Sequence, residues 1–414
     1  MMPIEGPCAN LERLRADLTE LSKIGRREDD AGIYRMAFSE ADLEGRRWLR
    51  QKIEAAGLTP CQDGAGNLGT RLGDPASPCV MTGSHIDSVP GAGQLDGALG
   101  VLCGLEAVRV LHETGISLSR PVELVAFSDE EGRFGGMFGS QAMSGKLTPE
   151  SIHAARDLAG VSLEDAMATH GLNAMDALGA HRPPGSIYAF VELHIEQGPV
   201  LDRTGATVGL VEGITGLFRW DVRLSGAANH AGTTPMNMRQ DAFQGLAEFA
   251  GAIDRVIEEH GSPRSRATVG RVELLPGAAN VIPGEARFSL EVRDTDPETL
   301  AGLGDAFRRT LSAIARRREL MFDFEVVSRI EPVTCSPLVL DAIRSACQEL
   351  ELEPYPLPSG AAHDTQMIAS IAPAGMIFVP SRDGRSHSPA EWTSWSDIGT
   401  GANVLLHTLR RLAA

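Results

Sequence analysis

The chain is poor in cysteine, short of positive charge and without a long apolar run, and each shortage excludes something. Its six cysteines (Cys8, Cys61, Cys79, Cys103, Cys335, Cys347) are scattered and form no CxxC pair. That spacing argues against a disulfide framework or a thiolate zinc site and for the reduced cytoplasm. Lys and Arg number 38 against 55 Asp and Glu, a net charge of −17. So acidic a surface repels phosphate backbones and anionic lipid, so neither a nucleic acid nor a membrane is an expected partner. No apolar run is long enough to span a bilayer, and the opening MMPIEGPCANLERLRAD lacks a signal peptide's apolar core. What is present, 43% apolar and 22% charged residues, suits a soluble globular protein. At roughly 150 residues per domain, 414 residues suggest two or three domains.

The hydrophobic pattern predicts amphipathic helices over 9–24, 39–57 and 97–113. Between helices, short apolar runs end in polar clusters: VMT in GSHID, VELVAF in SDEEG, YAFVEL in HIEQG and MIFV in PSRDGRSH. Continuous apolar strands alternating with helices predict an α/β domain with a mostly parallel sheet. Ligands bind beyond the carboxyl ends of such strands, where all four clusters fall. Residues 213–330 read differently: strands at 217–224, 267–275, 285–293 and 321–328, with helices at 237–260 and 297–316. In the first of these helices Phe243, Leu246, Ala250, Ile253 and Ile257 are expected on one face. The order βαββαβ is the ferredoxin-like pattern. The expected plan is therefore a discontinuous catalytic domain, 1–212 with 331–414, carrying an inserted ferredoxin-like α+β domain at 213–330.

Six of the eleven histidines (His112, His153, His170, His181, His260, His407) sit in helices or loops without acidic clusters and are read as solvated or capping. The others include His85, His194 and His387, each read as lying just beyond a strand. Imidazole nitrogen and carboxylate oxygen are ordinary ligands of divalent metals, and one carboxylate can bridge two cations. One metal would take His85, Asp96 and His194, the other Asp96, Glu131 and His387, with Asp96 shared, as in two-metal hydrolases whose ions lie roughly 3.5–4 Å apart. Glu130, beside Glu131, is left to act as general base. Asp87 is expected to orient His85 from outside the ligand set. Any one of these short motifs is a common loop sequence, and Asp96 alone would serve as a helix cap. Their coincidence at strand ends favours the metal site.

These residues lie in segments with a shared signature: TGSHIDSVPGAGQLDGALGV, FSDEEGRFGGMFGS, ELHIEQGPVL, NHAGTTPMNMRQDA, ANVIPG, LEVRD, SGAAHD and MIFVPSRDGRSHSPAEWT. The chain resembles the hydantoinase/carbamoylase branch of the zinc-aminoacylase-like metallohydrolases, which includes N-carbamoyl-L-amino acid hydrolases, β-ureidopropionases and allantoate amidohydrolases. The resemblance implies two divalent ions per subunit (Zn²⁺, Mn²⁺, Co²⁺ or Ni²⁺), a small ureido-acid substrate and a homodimer joined through the inserted domain. It places substrate contacts on Gln197, His230, Asn280, Arg293 and Gly360. His230 also polarises the scissile amide, from its own chain or the partner's, and the inserted domain closes as a lid. Where relatives commonly read SGAGHD, Ala362 replaces glycine, and His363 is expected to support the site without binding metal. The leading expectation is hydrolysis of the carbamoyl C–N bond of N-carbamoyl-L-amino acids, ahead of allantoate or β-ureidopropionate. An N-acyl amino acid hydrolase or peptidase, or a non-catalytic ligand-binding relative, are the alternatives.

Overall fold

A computed structural model describes residues 6–414, so the first five residues of the expected catalytic domain lie outside the described residues. Contacts divide the chain into two compact units, one ending at Glu212 and resuming over Cys335–Ala414, the other Gly213–Thr334. No described helix is long and apolar enough to cross a membrane.

The large unit is built on four adjacent strands: Val122–Phe127, Cys79–His85, Ile187–Ile195 and Ala374–Val379. They pair in parallel, and almost every residue in them is buried. That explains their unbroken apolar spelling, since helices cover both faces. The sheet as a whole is mixed, which corrects the mostly parallel expectation. Leu68–Leu72 and Pro60–Gln62 join antiparallel at one side, and Gly209–Ile214 lies antiparallel to Ala374–Val379 at the other. Pro60–Gln62 and Leu68–Leu72 are short and carry one β-branched residue between them, so they lack the apolar signature of the central four. Helix Ala98–Thr114 is buried along most of its length and packs on three of the central strands. Helices Leu11–Leu21 and Glu40–Ala55 begin where Asn10 and Ser39 accept backbone N–H bonds at their N-caps.

In the small unit the strand order is Val272–Leu275, Glu285–Asp294, Gly216–Ser225, Met321–Ile330, antiparallel throughout, with Arg266–Thr268 also pairing with Glu285–Asp294. This is the ferredoxin-like order. From Phe218 onward strand Gly216–Ser225 alternates: Phe218, Trp220, Val222 and Leu224 are buried against Phe249, Phe288, Leu303, Phe307 and Leu311. Its opposite face holds exposed ion pairs such as Arg223–Asp323 and Arg271–Asp221. The helix expected over 237–260 is two helices, Ala242–Gly251 and Ile253–His260. It starts late because the Asp241 carboxylate accepts the N–H groups of Phe243 and Gln244. Leu246, Phe249 and Val256 form the buried stripe, while Phe243 and Ala250, expected on one face with Leu246, are exposed. The strand expected over 267–275 is likewise two short strands, interrupted at residues 269–271.

Candidate active site

The carboxyl ends of the four parallel strands carry the polar clusters. His85 is the last residue of its strand and His194 the penultimate residue of its own, so both lie inside strands and not beyond them, as expected from sequence. Both are buried, and their positions follow from sheet pairing. Glu130 and Glu131 lie in the loop after Val122–Phe127, not at a strand end. Asp129, with φ of 54°, turns that loop, and its buried carboxylate accepts the N–H groups of Arg133 and Phe134 at 2.7 and 3.0 Å. His387 lies eight residues past Val379, half-exposed, with φ of 52°.

Asp96 is the hub. One oxygen, Oδ1, lies 3.2 Å from His194 Nε2 and 3.7 Å from His85 Nε2. The other, Oδ2, lies 3.2 Å from His387 Nε2, which in turn is 3.5 Å from Glu131 Oε2. Two ligand groups thus converge, His85–Asp96–His194 and Asp96–Glu131–His387, each with donor atoms within 4.8 Å of one another. Asp96 does not cap the following helix. Gly97 holds that position with φ of 62°, and a Cβ there would lie 2.4 Å from the His85 ring, so no other residue lets the imidazole sit so close.

Hydrogen bonds set the imidazoles for a cation. His85 Nδ1 faces the Asp87 carbonyl at 3.0 Å, and His194 Nδ1 faces the Ile195 carbonyl at 2.9 Å. A carbonyl accepts, so each Nδ1 carries a proton and Nε2 is the nitrogen turned toward Asp96. Gly97 N–H donating to His194 Nε2 at 3.1 Å requires the same tautomer. Two imidazole Nε2 atoms and a carboxylate oxygen thus converge on one point, a donor set that a divalent ion fills in place of the imidazole protons. Glu131 Oε1 is also buried without a hydrogen-bond partner. The donor set therefore fits divalent metal on chemistry as well as position. Asp87 orients His85 as expected, through its backbone carbonyl, while its carboxylate lies 3.9 Å away and accepts Glu131 N–H at 3.2 Å.

Electrostatics follow from burial and crowding. Burial, then the neighbouring charges of Asp364, Glu131, Asp96 and Asp87, hold the Glu130 carboxyl well above its ordinary range. Glu131 is raised likewise, by burial and by Asp96. Burial works against Asp96 ionising, yet contacts with His194 and His387 keep its carboxyl well below the usual range. Glu130 Oε2 lies 3.5 Å from His85 Nε2, at the edge of the His85–Asp96–His194 group, the inner of the two.

Gln197 Nε2 donates to Asp96 Oδ2 at 2.8 Å, with its backbone at φ of 57°. His363 is buried against the His194 ring, centroids 4.6 Å apart, and bonds Ser359 Oγ at 2.9 Å. Glu192, His194 and His363 also come within metal-binding distance of one another, but Ser84 and Thr365 already satisfy the Glu192 carboxylate. Gly360 is exposed just past strand Tyr355–Ser359.

The remaining expected residues belong to the small unit. His230 is exposed in a two-residue strand, Asn229–His230, paired with Val281–Ile282, and Asn280 O accepts Ala231 N–H at 3.0 Å. The fold thus brings His230 and Asn280 side by side. His230 Nδ1 accepts from Gly232 and Thr233 N–H at 3.0 and 3.2 Å, leaving Nε2–H as an outward donor. Arg293, near the end of Glu285–Asp294, is half-buried, its Nε on Glu291 Oε1 at 3.0 Å. Two residues next to Asp96 escaped the sequence reading, Ser386 and Glu391. Both fall in the segment GRSHSPAEWT, where only His387 looks like a ligand.

The chain matches peptidase family M20/M25/M40 over residues 81–411. It belongs to that family of metal-dependent hydrolases. It is 42% identical to an N-carbamoyl-L-amino acid amidohydrolase of Geobacillus stearothermophilus over 97% of this chain and 98% of that one. An allantoate amidohydrolase of Escherichia coli is 34% identical, with 97% and 98% covered. Among solved structures, an amidase of the hydantoinase/carbamoylase family from Burkholderia multivorans superposes with a TM-score of 0.89 at 34% identity, 98% of each chain being covered.

Proposed function

We propose that the protein hydrolyses the carbamoyl C–N bond of N-carbamoyl-L-amino acids, releasing ammonia, carbon dioxide and the amino acid. The observation that carries this reading is the division of Asp96 between two ligand groups, with Glu130 beside the inner one. Similarity to N-carbamoyl-L-amino acid amidohydrolases across nearly the whole chain narrows the chemistry from amide bonds in general to the ureido group. His85, Asp96 and His194 would hold one divalent ion and Asp96, Glu131 and His387 a second. Bound there, such ions polarise a carbonyl and make water acidic enough to attack near neutral pH.

The protein's own groups then divide the work. Glu130, raised in proton affinity by burial and by its acidic neighbours, takes the proton from the attacking water and returns it to the leaving nitrogen. His230 donates through Nε2–H to the oxygen that gains charge. Arg293 turns from Glu291 to the substrate carboxylate, for which its planar fork is suited. Asn280, Gln197 and Gly360 read the ureido group and backbone, and His363 and Asp87 hold the ligands in place. A homodimer joined through the small unit, in the cytoplasm, completes the assignment. All six cysteines are unpaired, in line with that compartment.

The test is ammonia release from a panel of N-carbamoyl-L-amino acids and allantoate, after loading metal-free protein with Zn²⁺, Mn²⁺, Co²⁺ or Ni²⁺ in turn. Turnover confined to acetyl or peptide substrates would reject the ureido assignment. Faster release from allantoate would move it to the neighbouring activity, as the E. coli relative suggests.

A further inference from the structure

Glu391 is 4% exposed, and nothing in the reaction above uses it. Its Oε1 accepts the backbone N–H groups of both Leu95 and Asp96, at 2.8 and 3.1 Å. Its Oε2 lies 2.9 Å from Ser386 Oγ, and that hydroxyl also lies 2.8 Å from Asp96 Oδ2. One carboxylate therefore spans two segments about 290 positions apart in sequence, the turn that projects Asp96 and the loop that carries His387. The packing leaves no slack: a Cβ on Gly93 would sit 2.4 Å from the Glu391 side chain.

The hydroxyl of Ser386 has one proton and two carboxylates to serve. In the present arrangement Asp96 Oδ2 is also held by Gln197 Nε2 at 2.8 Å. A cation between Asp96 Oδ2, Glu131 and His387 would occupy the lone pairs to which these donors point. The serine proton then has one acceptor left, Glu391.

We propose that Glu391 and Ser386 form a positioning pair for the outer metal, the one that Asp96, Glu131 and His387 would hold, fixing Asp96 against His387; when the cation takes Asp96 Oδ2, the serine hydroxyl donates its hydrogen bond to Glu391 alone. Gln197, whose Nε2 also lies 3.3 Å from Ser386 Oγ, loses its Asp96 acceptor by the same event. Neither Glu391 nor Ser386 is a ligand; both act through Asp96 and His387, as outer-shell groups commonly do. The inference rests on the two-ion reading given above.

The experiment titrates metal-free full-length protein with Co²⁺, followed by calorimetry and visible absorption, in the wild type, Ser386→Ala, Ser386→Thr, Glu391→Gln and the Ser386→Ala/Glu391→Gln double variant. The expected result is two ions in the wild type. In Ser386→Ala and Glu391→Gln the weaker ion should bind about 10–100-fold less tightly, with the tighter ion unchanged. Ser386→Thr, which keeps the hydroxyl, should restore the affinity, and the double variant should be no worse than the more impaired single one. A merely structural contact would not move the weaker ion alone. Unchanged Co²⁺ affinities in both single variants, or fully additive losses, would overturn the pairing while leaving the two-ion site intact. If Glu391→Gln does not fold, Ser386→Ala and its threonine rescue decide alone. A wild type that takes up fewer than two ions would overturn the two-ion reading, and this inference with it.

Discussion

The two ligand groups that share Asp96 are held in different ways. His85 and His194 are buried in neighbouring parallel strands, each fixed through Nδ1 by a backbone carbonyl. Glu131 and His387 come from loops, with His387 half-exposed and its imidazole within 3.5 Å of Gln197. The inner group is placed by the sheet, whereas the outer one is placed by side chains that reach across loops. Rigid elements fix a site more closely than loops do. The inner ion should therefore bind tightly and exchange slowly, and the outer should come and go. That asymmetry suits a site in which loop contacts such as Gln197 to Asp96 give way when the outer ion binds.

The largest effect expected is on the base, which lies at the inner group but is not part of it. Glu130→Gln should keep both metals and lower kcat about 10²–10⁴-fold, because the amide cannot accept a proton. Lost metal in this variant, with Glu131→Gln retaining it, would exchange the two roles. Next in size is Gly97→Ala, which attacks the inner group alone. The added Cβ meets the His85 ring at a backbone angle that alanine disfavours. Stability should fall by more than about 1 kcal/mol in urea unfolding, and inner-ion affinity should drop on Co²⁺ titration while His387 still binds.

A smaller effect sharpens the contrast by kinetics. Dilution into a chelator should remove metal in two phases, the fast phase disappearing in His387→Ala and the slow one in His85→Ala. A single phase in the wild type would mean that the two groups are equally held. The smallest effect lies in the other unit. Arg293→Lys keeps the charge but loses the fork, so KM for N-carbamoyl acids should rise about tenfold, equivalent to ~1.4 kcal/mol. An equal rise for carboxyl-free ureas would show that Arg293 does not read the carboxylate.

The same contrast explains what the sequence disclosed. Strand-borne ligands were legible because an unbroken apolar run ending in a polar residue is written in consecutive positions, as in VMTGSH and YAFVELHI. The order of strands and helices in the small unit was legible for the same reason: Phe218, Trp220, Val222 and Leu224 alternate in plain view. The roles of Ser386 and Glu391 were not, because their partner Asp96 lies about 290 positions away and nothing local marks a serine or glutamate that serves another carboxylate. Nor could sequence distinguish the carbonyl of Asp87 from its side chain as the acceptor for His85. The antiparallel strands Pro60–Gln62 and Leu68–Leu72 at one flank of the large sheet were hidden by their brevity. The break at Ala252 was hidden because Ile253 and Ile257 continue the apolar period across it.

The central claim is that a single carboxylate serves two metals, and counting ions tests it most directly. Metal content should be measured by mass spectrometry in the wild type, His85→Ala, His387→Ala and Asp96→Ala after identical loading and dialysis. The wild type should hold two ions per chain, each histidine variant one, and Asp96→Ala none. An Asp96→Ala protein that is folded and still holds one ion at wild-type affinity would contradict that claim.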